Sequence, residues 1–326
     1  MSALIDGIKA NNFVIVGRAG IDFFTDAGVR AEDAERVAVD LGGSAANIGA
    51  GICKLGGRAA LVTSVSDDSV GSYCINRLAH YGVDATHVSR VGGEARNSLA
   101  FYESVLEGHR NVIYRNGAAD FEMGIAQVEA VDYSAFGALI TAGTVFAAEP
   151  SRSAAFRAFE LAKAAGLPII FDVDYRPYSW PSPQVASDVL SRAADGADMI
   201  VGNDEEFGFM AGGIDKGQAK AHSLSETSAE VVIYKMGEKG AVTYAGGEVI
   251  STGIYPVTAI KPVGAGDAFM AGLMTGIAQG QTLRDAILRG SACASITVSR
   301  PGCAPAIPDP GTLAAFLADH PGPTAP

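Results

Sequence analysis

The chain has 326 residues, 48% of them hydrophobic and 18% charged, a balance that belongs to a folded protein rather than a disordered one. Its length allows one large α/β domain or two smaller ones with a substantial buried core. A formal charge of −12 and a pI near 4.8 argue against a nucleic-acid surface, which needs clustered Lys and Arg, yet leave room for a small anionic ligand held by local donors.

Cys53, Cys74, Cys293 and Cys303 are far apart and form no CxxC pair, so neither a zinc site nor a disulfide framework is expected. The first residues, MSALIDGIKANNFVIVG, lack a basic start followed by a long apolar run. No stretch approaches the roughly 18 apolar residues of a membrane span. No membrane partner is expected, and the cytoplasm is the expected location.

Residues 13–17, FVIVG, are a β-branched run ending in glycine, the pattern of a buried strand that opens an α/β unit. Asp22 follows five residues after Gly17. Val37, Val39 and Leu41 alternate with Ala38 and Asp40, which predicts a half-exposed strand over 37–41. GGSAANIGAGICKLGG at 42–57 predicts a tight turn into a closely packed helix closed by Gly56 and Gly57. A strand over 59–65 and a helix over 68–81 follow. Residues 98–105 and 111–114 read as a hairpin joined by the polar turn EGHRN. With 37–41 the hairpin makes a small sheet inserted in the α/β core, over roughly 18–41 and 96–116.

From residue 137 strands are predicted over 139–146, 168–172, 199–202 and 231–235, alternating with helices over 153–165, 183–194, 205–210 and 216–224. Helices after Asp267 and over 283–290 and 291–299 close the core, 301–310 is a Pro-rich loop, and HPGPTAP is a frayed tail. Buried strands alternating with helices predict a mostly parallel central sheet with helices on both faces, in a single domain spanning 1–326.

The chemistry concentrates in KPVGAGDAFMAGLMTG at 261–276. Gly264, Ala265 and Gly266 stand before a lone carboxylate, Asp267, and no charge follows until past Gly280. The first turn of a helix has unpaired N–H groups, and small residues let an anion come close to them. Asp267 there is either a helix cap or a reactive carboxylate. The usual phosphate-binding signatures are absent: there is no GxxxxGK(S/T) loop, GRAGID lacks the third glycine of a dinucleotide fingerprint, and protein-kinase motifs are missing.

GGSAAN at 42–47 together with GAGD at 264–267 resembles the two signatures of the ribokinase-like (PfkB) family of carbohydrate kinases. The resemblance covers nearly the whole chain: Gly17 and Asp22 after the first strand, Asn203 and Glu206 in NDEE, Gly237 and Gly240 in KMGEKG, and the closing SRPGCAPAIP stand in the family's order. It implies a ribokinase-like α/β fold with a small β-sheet lid, and an ATP-dependent, magnesium-requiring kinase whose other substrate is a small sugar or sugar acid.

The resemblance makes Asp267 the general base toward a sugar hydroxyl, with the amides of Gly264, Ala265, Gly266 and Asp267 around the transferred phosphoryl group. Asp22, Gly42, Gly43 and Asn47 become sugar ligands, with Tyr102 and Arg115 of the hairpin as further contacts. Asn203 and Glu206 orient magnesium, largely through water. Asn203, Lys235, Gly237, Gly240, Gly266, Ala292 and Ser295 fall where the nucleotide sits. In many members two lids clasp, which implies a homodimer.

Two departures narrow this. Lys261, Pro262 and Val263 stand where an acid and threonines are common, and an acid there often helps to hold a monovalent cation. Lys261 brings its own ammonium, so no potassium requirement is expected. FDVDYRPYSWPS at 171–182 puts Arg176 just past a strand end, where α/β sheets bind ligands, and an arginine fork suits a carboxylate. This segment resembles the DxNxRxxLW element of kinases acting on sugar acids such as 2-keto-3-deoxygluconate, with Asp174 where asparagine is usual and Ser179 replacing leucine. With KPVGAGD and the CAPA segment it is closer to the branch that phosphorylates 5-dehydro-2-deoxygluconate in inositol breakdown. Fructokinase or ribokinase activity on a neutral sugar, and a non-catalytic sugar or nucleotide sensor on the same fold, are the alternatives.

Overall fold

In β1, Asn12–Val16, Phe13 and Ile15 alternate with Val14 and Val16, and the two sets are buried in separate cores on opposite faces of one sheet. A strand covered on both faces belongs inside a parallel sheet. The computed structural model describes residues 2–105, 108, 110–261, 263–320 and 322–325. After β1 come β2 (Gly20–Thr25), β3 (Val37–Gly42), β4 (Arg58–Ser66), β5 (Val88–Val91), β6 (Leu99–Tyr102) and β7 (Asn111–Tyr114). The later strands are β8 (Ala138–Ala142), β9 (Ile169–Asp172), β10 (Met199–Asn203), β11 (Val231–Lys235), β12 (Ala241–Ala245) and β13 (Glu248–Thr252).

The large sheet has nine strands in the order β13-β12-β11-β10-β9-β8-β1-β4-β5. All neighbours pair parallel except β11–β12 and β12–β13. The helices are α1 (Ser2–Lys9), α2 (Ser44–Lys54), α3 (Ser69–His80), α4 (Ile125–Glu129), α5 (Ser151–Ala164) and α6 (Pro183–Asp195). They continue with α7 (Asp204–Ala211), α8 (Gly217–Thr227), α9 (Ala265–Ala278), α10 (Leu283–Val298) and α11 (Pro310–Asp319). Apolar residues of α1, α2, α3, α9, α10 and α11 fill the core on one face, and those of α5, α6, α7 and α8 the core on the other.

The small sheet has the order β3-β2-β6-β7. Its centre is β2, which the sequence pattern did not single out as a strand, because GIDFFT carries an aspartate on the face that is turned inward. Asp22 and Tyr102 share that inner face, whereas Val39, Phe23, Phe101 and Val112 form one row on the outer face, paired in register across all four strands.

Several boundaries differ from expectation. The strand expected to reach residue 146 ends at Ala142 and continues as a 3₁₀ turn, Gly143–Ala147. The two helices expected over 283–299 are one, α10, for nothing in the sequence breaks it at Gly290. Helices α1, α4 and α11 and strands β5, β12 and β13 were not expected. In the hairpin turn, Glu107 and His109 lie outside the described residues, as do Pro262 in the GAGD segment and Pro321 and Pro326 in the tail. The rest of the tail is docked rather than frayed: Thr324 donates its N–H to Ile254 O at 2.7 Å and accepts the Ile254 N–H on its hydroxyl at 3.1 Å.

Candidate active site

The chain leaves β1 toward β4 on one side and toward β8 on the other, so the sheet reverses its winding at β1. In open α/β sheets the crevice at such a point, beyond the carboxyl ends of the strands, is where ligands bind. Here one continuous cavity of about 1280 Å³ occupies it, lined by Arg18, Thr144, Asp172, Asp174, Asn203 and Lys235 at the ends of five strands and by Asp22 and Tyr102 from the small sheet.

Helix α9 opens into this cavity. Its cap residue, Gly264, holds φ at 84°, a left-handed conformation suited to glycine, and no side chain among the described residues caps the first turn. The amides that follow are therefore free to meet a ligand. Asp267 sits in this first turn with its carboxylate held by Asn47, whose Nδ2 donates to Oδ2 at 3.1 Å. Asp267 is pushed up to about 7, by burial first and by the charge of Asp174 second. Burial also pushes the Asp22 carboxyl up to about 7 against the pull of Arg18, and Asp267 adds to the rise. Asp22 Oδ1 and Asn47 Oδ1 are buried without a hydrogen-bond partner among the described residues. Both residues line the cavity, so a ligand's hydroxyl groups can complete them.

Asp174 joins the next layer. It adopts φ 35°, which Asp and Asn tolerate best among residues with a side chain, at a strand end beside the cavity. Its Oδ2 accepts from Ser44 at 2.8 Å and from Thr144 at 3.2 Å, and its Oδ1 lies 2.8 Å from Arg176 Nη2. Arg176 lines the cavity as expected, but already holds a carboxylate. Arg115 likewise is buried in an ion pair with Asp120 and donates to Thr144 O at 2.8 Å. Tyr102 lies over Phe24 in a stacked pair with centroids 5.1 Å apart.

At the other end, Asn203 and Glu206 form a capping box on α7: each side chain accepts the other's backbone N–H at 2.8 Å. Glu206 is buried in the cavity wall beside Asp172, and burial raises both carboxyls against the pull of Lys235. A β-carbon built on Gly266 would lie 3.7 Å from Lys235 Nζ, which puts that ammonium over the start of α9. Gly237 and Gly240 line the same end, as does Ser295, whose hydroxyl donates to Tyr255 O at 2.7 Å.

Two expected residues are not in the cavity. Ala292 is fully buried in the core, because Ser291, Ala294, Ser295 and Val298 form the α10 face that meets the cavity and Ala292 points a quarter-turn away. Gly42 does not line the cavity either, and its hydrogen side chain makes room for the Asp22 carboxylate, onto which a β-carbon would fall. Gly43, by contrast, lines it. Arg18, Ser44, Thr144, Asp172 and Cys303 are cavity residues that sequence reasoning did not pick. Arg18 and Asp172 stand at strand ends, a signal that was there to be read.

Residues 10–310 match the pfkB family carbohydrate kinase domain. The chain belongs to the pfkB family of carbohydrate kinases. It is 34% identical over 310 residues to a 5-dehydro-2-deoxygluconokinase of Photobacterium profundum, an alignment covering 93% of this chain and 94% of that one. Among solved structures, the fructokinase of Xylella fastidiosa with bound ATP has a TM-score of 0.83 at 21% identity and covers 95% of this chain and 98% of its own. A Vibrio cholerae fructokinase variant bound to fructose, ADP and potassium has a TM-score of 0.80 at 24% identity, with coverages of 94% and 98%.

The kinase family implies ATP and a divalent metal. Among the described residues no group of three or more His, Cys, Asp or Glu is placed to hold a metal by itself. The donor set nevertheless fits a hard divalent ion that keeps part of its water shell and takes nucleotide phosphates as ligands, because Asp172 and Glu206 offer buried carboxylates in the cavity wall. Among the described residues no helix is long and apolar enough to cross a membrane.

Proposed function

We propose that this pfkB kinase phosphorylates a terminal hydroxyl of a small sugar acid, 5-dehydro-2-deoxygluconate, with ATP and Mg²⁺. The observation that carries this reading is that three arginines line the cavity, Arg115 and Arg176 paired with Asp120 and Asp174 and Arg18 with no carboxylate at ion-pair distance among the described residues. The name borne by relatives at 30–34% identity supports it.

Asp267 takes the proton of the attacking hydroxyl while that oxygen bonds to the γ-phosphorus and the bond to the leaving ADP breaks. Such transfers have loose transition states, so the work is positioning and electrostatics. The open amides of α9 supply fixed donors for the phosphoryl oxygens, and Lys235 adds charge above Gly266. Asn47 orients the base by its hydrogen bond to Asp267. Asp22 accepts from the sugar's hydroxyls. Asp172 and Glu206 would hold Mg²⁺, whose charge would neutralise the phosphates.

Lys261 takes the role of a monovalent cation. Its buried ammonium donates to Val263 O at 2.7 Å and Thr297 O at 3.3 Å, behind the start of α9. Burial lowers its pKa, and the nearby Asp267, Asp22 and Asp40 charges oppose that fall. The outer row of the small sheet supports a homodimer through this surface, for Val39 and Val112 are 40% and 45% exposed in a continuous apolar strip.

Five outcomes test this reading. Asp267→Asn is expected to fold normally and lose about 10²- to 10⁴-fold in kcat. In the wild type kcat/KM should fall as pH drops through about 7, because the raised carboxyl of Asp267 must be ionised to act; a variant with full turnover ends the assignment. The enzyme should prefer 5-dehydro-2-deoxygluconate over its neutral carboxamide by about 10- to 100-fold in kcat/KM, the worth of a charge-assisted hydrogen bond, and equal use of the two would defeat the sugar-acid reading. Adding potassium chloride in place of a choline salt should leave turnover unchanged, so strong activation counts against Lys261. Val112→Glu should convert a dimer to a monomer in sedimentation velocity, and a monomeric wild type would remove that part of the reading.

A further inference from the structure

Two of the three arginines in the cavity wall are already neutralised. Arg115 pairs with Asp120, and Arg176 with Asp174. Arg18 is different. It is 7% exposed, and among the described residues its guanidinium makes one hydrogen bond, from Nη1 to Ser98 Oγ at 2.8 Å. Among the described residues no carboxylate comes within ion-pair distance of it. A guanidinium carries five N–H donors in a planar fork. A buried cation in a cavity wall with most of its donors unused is an unfinished site, because burying a charge without a partner is costly.

The local chain is shaped to hold this side chain. A β-carbon on Gly20 would lie 2.8 Å from both Arg18 Nη1 and Ser98 Oγ, so the glycine leaves the space that the guanidinium and its one partner occupy. Asp120, Asp22, Tyr102 and Asp174 surround it and favour its charge without touching it, against the cost of burial. Arg176 has a different reach, for its charge lowers Asp267 and Glu206, at the phosphoryl end. Arg18 instead acts on Asp22, while Tyr178 feels both arginines, Arg176 the more strongly.

We propose that Arg18 is the specificity-determining residue of this kinase: its free fork receives the carboxylate of the sugar acid, and Arg176, held by Asp174, serves the phosphoryl end. This rests on the sugar-acid reading and divides the arginine cluster within it. The ligand class for Arg18 is a planar carboxylate, because two parallel N–H groups match its two oxygens.

The test compares kcat/KM for 5-dehydro-2-deoxygluconate and for its isosteric carboxamide in the full-length wild type, Arg18→Met, Arg18→Lys and Arg176→Met. Arg18→Met is expected to lower the value for the acid by about 30-fold, chiefly through KM, and to leave the carboxamide within about threefold, so that the preference collapses. Arg18→Lys keeps the charge without the fork and should fall between; it carries the test if Arg18→Met does not fold. Arg176→Met should lower both substrates alike, chiefly through kcat. An Arg18→Met or Arg18→Lys enzyme that loses both substrates equally has lost structure rather than recognition and overturns the proposal. So does a preference that survives at Arg18 but vanishes in Arg176→Met. In either case the wild type still prefers the acid and the sugar-acid reading stands; a wild type with no preference defeats that reading first and the proposal with it.

Discussion

Gly264 holds a left-handed turn that leaves the first amides of α9 uncapped, and they open into the crevice where the large sheet reverses its winding. The surrounding elements line that opening with charged and polar side chains. Helix α2 brings Asn47 to Asp267, β9 brings Asp172 and Asp174, β11 brings Lys235, and the small sheet closes the far side with Asp22 and Tyr102. Had a side chain capped α9 in the way Asn203 caps α7, the amides would be satisfied internally and useless to a phosphate.

Burial decides how the charges around that opening behave. Exposed pairs such as Arg36 with Asp26, at 84% and 57% side-chain exposure, are worth little in water. The cavity carboxylates are a different case: Asp22 and Asp267 both reach about 7 because desolvation outweighs the help they get from Arg18 and Asn47. A carboxyl near neutrality is a better proton acceptor from a hydroxyl than an ordinary aspartate, and it remains ionised often enough to act. Arginines tell the complementary story. Two have carboxylate partners from the protein, and the third has a cavity.

The small sheet does two jobs through the alternation of one strand. In β2, Asp22 and Phe24 face inward, toward the cavity and Tyr102, while Ile21 and Phe23 face outward. The same period that turns Asp22 into the cavity thus produces the apolar outer row.

How far all this could be read from residues alone depended on distance along the chain. The strand FVIVG, the Gly42–Asn47 turn, the uncharged run after Asp267 and the α/β rhythm are local patterns, set by side-chain period and by small residues, and they specified the core, both signatures and the helix start beside Asp267. Strand β2 escaped because an inward aspartate breaks the apolar alternation. Ala292 was misplaced because a segment assigned to the nucleotide says nothing of which side of the helix meets it. Asn47 reaches Asp267 across 220 positions, and Ser44 reaches Asp174 across 130. Whether Arg176 is free or paired, whether Lys261 points at carbonyls, and whether Arg18 has a partner are questions of proximity between distant segments. Composition fixes that these charges exist; only the folded chain decides which of them are compensated, because desolvation and Coulomb energy depend on separations of a few ångströms that sequence order does not contain.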